Sequence, residues 1–115
     1  MNPTVQPGKA IGRGYKWTLR ITMTEVSFPV GVEITGHVRK TIDDPDILTT
    51  LSTSNGSIVR VDDKNIDLTI LGVVSAGWNF RSVTMDFVRT DTTPDTYLEF
   101  RLDVPVTGTV TRGLP

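Results

Sequence analysis

The chain has no cysteine, which excludes disulfides, thiolate zinc sites and a cysteine nucleophile and fits synthesis in a reducing cytoplasm. Histidine occurs once, as His37. Acid–base or metal chemistry through it needs a partner, and Gly36 and Val38 place it on a strand whose outward positions are polar, so a surface or interface role is expected. No G-x-S-x-G turn presents a serine nucleophile. Neither charge sign dominates: 12 Lys and Arg against 13 Asp and Glu give a net charge of -1, without the footprint that binds nucleic acid or an anionic membrane. No apolar run approaches the roughly 20 residues of a membrane span, and the opening "MNPTVQPGKAIGRG" holds no signal-peptide core. The expectation is a chain that is not an enzyme, not exported by a cleaved signal, and without a cofactor, a small-molecule ligand, a membrane or a specific nucleic acid among its partners.

What the sequence does have is alternation. In "SVTMDFVRTDTTPDTYLEFRLDVPV" (82–106), Val83, Met85 and Phe87 point one way and Thr84 and Asp86 the other, while Leu98, Phe100, Leu102 and Val104 oppose Glu99, Arg101 and Asp103. A period of two is a strand with one buried face. Joined through Asp91 to Thr96, the arms form a hairpin whose register follows from charge, because like charges directly opposed are destabilising. Pairing Phe87 with Phe100 sets Asp86 against Arg101, whereas a shift of two sets Asp86 against Glu99 or Asp103. A shift of one turns the apolar set outward.

The same pattern recurs upstream. "WTLRITMTE" predicts a strand with Trp17, Leu19, Ile21 and Met23 inward, and "VEITGHVRKTI" another with Val32, Ile34 and Val38 buried and a bulge at Gly36. Asn55-Gly56 in "ILTTLSTSNGSIVRV" is a strong hairpin signal, since both central residues of a type I′ turn need positive φ. It predicts paired strands over 47–53 and 57–61. "NIDLTIL" adds a strand through Ile66, Leu68 and Ile70. "GVVSAGWNF" reads as a turn or a single helical turn, with Trp78 or Phe80 plugging one end of the core. No segment carries a helical period over a useful length. The fold class expected is all-β: a single antiparallel β-sandwich of immunoglobulin-like type, about seven strands, with extended N- and C-terminal arms. The 115 residues make one such domain, too short for a core plus a separate catalytic domain. Residues 1–14, rich in Pro and Gly, form the N-terminal arm, 15–104 the sandwich, and 105–115 a strand extension or arm.

The remaining candidates for chemistry are loops. Asp43, Asp44 and Asp46 in "DDPD" and Asp62 and Asp63 in "DD" cluster either for turn reasons or as oxygen ligands for a cation, although the EF-hand spacing is missing. "GKAIGRGYK" matches no phosphate-loop spacing. Lys9, Arg13 and Lys16 make it locally basic beside Tyr15 and Trp17, an arrangement that suits either nucleic acid, by charge and stacking, or an acidic protein surface, and the latter is the reading preferred. The C-terminal Val106, Val110 and Arg112 complete the expected interface set. Exposed threonines suit solvent-facing sheet, and unprotected sheet edges suit association with another copy.

The order of "GRGYKWTLRITMTE", "PVGVEITGHVRK", "ILTTLSTSNGSI", "NIDLTIL", "SVTMDFVRTD" and "YLEFRLDVPVTGTVTR", covering roughly residues 12–112, resembles small β-sandwich bacteriophage virion proteins associated with tails, baseplates and fibres. The chain departs from them where "GVVSAGWNF" stands in for a longer apolar segment. The resemblance implies a structural or adaptor subunit of the virion, made in the host bacterial cytoplasm, with no cofactor and with function carried by contacts to its own copies and to other virion proteins. A capsid decoration protein is the alternative within the same particle. A carbohydrate-binding module stacking sugars on Trp78 or Tyr97 is the alternative from another class.

Overall fold

The computed structural model describes residues 4–7 and 9–108, with side chains from residue 9 onward. The described chain is mostly β and forms two sheets. In order the elements are β1 (Thr4–Pro7), β2 (Ile11–Gly12), β3 (Trp17–Thr22), β4 (Ile34–Arg39), β5 (Thr49–Ser52), β6 (Ile58–Asp62), β7 (Asn65–Ile70), α1 (Gly72–Ser75), β8 (Ser82–Arg89) and β9 (Thr96–Thr107). The larger sheet runs β1-β9-β8-β4-β5 with β2 also on β9, and the smaller runs β3-β7-β6. Alternate residues supply one core between them: Ile34, Val38, Met85, Phe87, Leu102 and Val104 from the large sheet meet Trp17, Ile21, Ile58, Leu68 and Ile70 from the small. Trp78, 5% exposed, belongs to that core. Phe80 stacks on it at 5.9 Å.

The expected pairing of Asp86 with Arg101 is present. Beyond it the register shifts, Val88 facing Tyr97, and Glu99 takes φ 61°. Two extra residues on β9 enter between these pairs, an even number that leaves Leu98 and Phe100 on the inward face, and the Phe87 and Phe100 rings meet at 5.5 Å.

Three expectations need correction. Gly36 is not a bulge: β4 pairs with β8 without interruption from Ile34 to Arg39. It holds an inward position whose missing side chain leaves room for the Phe87 ring, 2.3 Å from where a Cβ would stand. Asn55-Gly56 does not join a hairpin, since β5 pairs with β4 and β6 with β7. Only Gly56 has positive φ, +83°, so the type I′ turn is not formed and the segment crosses from one sheet to the other. There the Asn55 side chain acts as the staple. Its Oδ1 accepts from the Ser57 backbone N at 3.0 Å and from the Ser52 N at 3.3 Å, and its Nδ2 donates to the Thr50 carbonyl at 3.0 Å.

The third correction concerns strand direction. The large sheet is mixed, because β1 and β2 both run parallel to β9. A parallel neighbour needs a long crossover, and here nearly the whole domain lies between the two partners. Residues 4–7 and 11–12 of the expected N-terminal arm are therefore strands on this chain's own sheet.

Candidate interaction surfaces

The corner built from residues 9–16 is held by backbone contacts that leave its charges outside. Ile11 is completely buried. The Arg13 N–H donates to the Thr107 carbonyl at 2.9 Å, and the Tyr15 N–H closes a turn onto the Gly12 carbonyl at 3.0 Å. Gly14, at φ +86°, leaves its N–H free to donate to Ser75 Oγ at 3.0 Å. On α1, a Cβ at Gly72 would lie 2.4 Å from the Gly14 oxygen, so α1 and the β2–β3 turn meet backbone to backbone. The Trp17 indole N–H donates to the Lys9 carbonyl at 2.8 Å. Lys9 and Lys16 consequently project into solvent, with Arg13 and Tyr15 half-buried between them.

None of Lys9, Arg13 and Lys16 takes part in the ion pairs among the described residues, which join Arg20 to Asp67, Arg60 to Asp63, Arg89 to Asp91 and Arg101 to Asp103. Arg13 Nε is buried with no hydrogen-bond partner among the described residues. Beside these cations stand two apolar side chains that sequence reasoning passed over, Leu71 at 54% exposed and Val73 at 82%. Their signal was in "LGVV": apolar residues in an expected turn have no core face to enter.

Of the other expected interface residues, Val106 is 6% exposed and packs in this chain's own core, so it is not surface here. Val110 and Arg112 lie outside the described residues.

The acidic loops are built by turn chemistry. Arg39 Nη1 donates to the carbonyls of Asp44 at 3.0 Å and Pro45 at 2.9 Å, and the Asp46 N–H donates to Asp44 Oδ1 at 2.9 Å. This shape pushes Ile42 and Ile47 into solvent, 61% and 44% exposed, on either side of the three aspartates. Asp62 accepts from the Lys64 N–H and the Asn65 amide, and these bonds hold its carboxyl below the usual range. Asp63 pairs with Arg60 at 2.5 Å.

The outer face of the large sheet carries a transverse row, Thr50, His37, Asp86 and Arg101, set by register across β5, β4, β8 and β9. The Tyr97 hydroxyl donates to Asp86 Oδ2 at 3.1 Å. Burial and the Asp86 charge both push that phenol's pKa up. A depression of about 60 Å³ lies beside His37, Arg39, Ile42 and Arg101, and a wider, more open one of about 450 Å³ lies beside Val26, Arg60, Asp62 and Lys64. Trp78, being buried, offers no sugar-stacking face, and Tyr97 is 37% exposed with its hydroxyl engaged.

A comparison with protein-family models found no match, and a search of curated proteins found none.

Proposed function

We propose that the chain is a non-enzymatic structural subunit of a bacteriophage particle, placed in the tail, baseplate or fibre region and acting through contacts with its own copies and with other virion proteins. The finer architecture we infer is immunoglobulin-like. The observation that carries the reading is the N-terminal corner, where Lys9, Arg13 and Lys16, in none of the ion pairs among the described residues, adjoin the helical turn that carries exposed Leu71 and Val73. An apolar centre with a polar rim is the anatomy of a protein interface. The order of strand motifs from 12 to 112 supports the particle as the setting, with synthesis in the host cytoplasm.

The test is to raise an antibody to the chain and probe purified particles separated into tails and capsids, with copy number from quantitative mass spectrometry. Label on tails or baseplates at a fixed copy number is expected. Label on the capsid surface moves the chain to the decoration reading, and particles free of the chain overturn the proposal.

A further inference from the structure

Two surfaces left without ion-pair partners among the described residues are opposite in charge and both carry exposed apolar side chains, and they stand at the same end of the large sheet. One is the basic corner, with Lys9, Arg13 and Lys16 around Leu71 and Val73. The other is the β4–β5 loop "IDDPDI", residues 42–47, whose three aspartates take part in no ion pair among the described residues and whose isoleucines are exposed. Their common end follows from strand direction. β8 is antiparallel to both β4 and β9, so β4 and β9 run the same way, and β2 is parallel to β9. The chain therefore leaves β4 into the acidic loop and leaves β2 into the basic corner at one end of the large sheet. The lateral path β4-β8-β9-β2 is three strand spacings, about 14 Å.

We infer that two copies of this chain join end to end about a twofold axis, the 42–47 loop of each seated on the basic, Leu71- and Val73-bearing corner of the other. A twofold lying in the end face and perpendicular to the line between the patches exchanges them, so both contacts form at once and the assembly closes as a dimer. Each contact joins three carboxylates to three cations and two exposed isoleucines to two exposed aliphatic side chains. The charge match selects the partner and the apolar groups supply the area that leaves water. Within one copy the patches are held apart by the strands between them, so they match only across copies. The inference rests on the reading of the chain as an assembly subunit that meets its own copies, and it concerns the full chain in solution, so its outcome is separate from whether particles contain the chain.

The test is a charge exchange followed by light scattering. Lys9→Glu with Lys16→Glu makes both patches acidic, and Asp43→Lys with Asp46→Lys makes both basic. These four side chains are exposed and make none of the hydrogen bonds that shape the corner or the loop, so the folds should survive, with tryptophan fluorescence as the check. The wild-type chain is expected to be a dimer that weakens as salt rises. Each variant alone is expected to dissociate at least about tenfold more readily, and an equimolar mixture of the two to recover a dimer of near wild-type affinity, since acidic then faces basic at both contacts. A wild-type chain that stays monomeric at high concentration overturns the inference. So does a dimer that either variant leaves intact, or a mixture that stays as monomeric as its parts.

Discussion

Gly36→Ala should be among the costly single substitutions in this chain, although it adds one methyl group in the middle of a strand where alanine is ordinarily the better residue. Glycine in a strand loses more backbone freedom on folding, which favours alanine by about 0.5–1 kcal/mol. Against this stands the Phe87 ring, directly across the β4–β8 ladder. The new Cβ would lie 2.3 Å from Cδ1, 2.5 Å from Cε1 and 2.8 Å from the Asp86 carbonyl oxygen. Ordinary contact begins near 3.4 Å, so the ring must retreat by 3.4 − 2.3 = 1.1 Å. Its way back is closed by Phe100, 5.5 Å between centroids. Overpacking of a close-packed core costs about 1–3 kcal/mol, and with a ring and a backbone carbonyl both obstructing, the upper part of that range applies. Subtracting the entropy gain leaves a net loss of about 2 kcal/mol. At roughly 2.1 cal/mol/K per residue, 115 residues give an unfolding entropy near 240 cal/mol/K, so Tm should fall by about 8 °C. Urea unfolding followed by fluorescence of the buried Trp17 and Trp78 measures the loss. In a Phe87→Leu background the ring obstacle is gone and only the Asp86 oxygen remains, so Gly36→Ala should then cost less than about 1 kcal/mol. A cost below about 0.5 kcal/mol in the wild-type background, or an equal cost in both backgrounds, refutes the account of Gly36 as the seat of the Phe87 ring.

Two further outcomes follow from bonds described above. Asn55→Ala removes the staple at the sheet crossover and should lower stability by about 1–2 kcal/mol in thermal unfolding, while a loss no larger than that of Ser54→Ala would show that the backbone turns without the staple. Asp91 accepts from Arg89 Nη2 at 2.8 Å and Nε at 3.2 Å and from the Glu33 N–H at 3.3 Å, and Arg89 above all holds its carboxyl down at about 2. An unfolded aspartate titrates near 3.9, so between about pH 4 and pH 2 the unfolded chain takes up the proton first. The contribution is complete above about pH 4 and is lost as pH falls toward 2. Asp91→Asn should therefore flatten the acid limb of stability measured by urea unfolding across that window, and an unchanged acid limb would refute the assignment.

The period-two segments were legible because each strand's burial is a property of its own residues: Ile66, Leu68 and Ile70 alternate inward in β7 as their spacing required. What failed was information held by pairs of distant residues. Gly56 does sit in a turn conformation, yet which strands flank that turn was settled by β5 pairing with β4 and β6 with β7, a choice no local dipeptide encodes. Gly36 looked like a bulge because its role is written at Phe87. The Pro- and Gly-rich composition of residues 1–14 suggested an extended arm without regular structure, while the decisive residues were Ile11, fully buried, and Trp17, tied to the Lys9 carbonyl. The candidate surfaces divide in the same way. Lys9, Arg13 and Lys16, and the aspartates of 43–46, are visible in the sequence as charges, and their lack of ion pairs among the described residues is a fact of packing. That both sets leave the same end of the sheet depends on β2, β4 and β9 running in one direction. The parallel β2–β9 pairing that the composition concealed is thus the feature that turns two unrelated charged stretches into opposite halves of one contact.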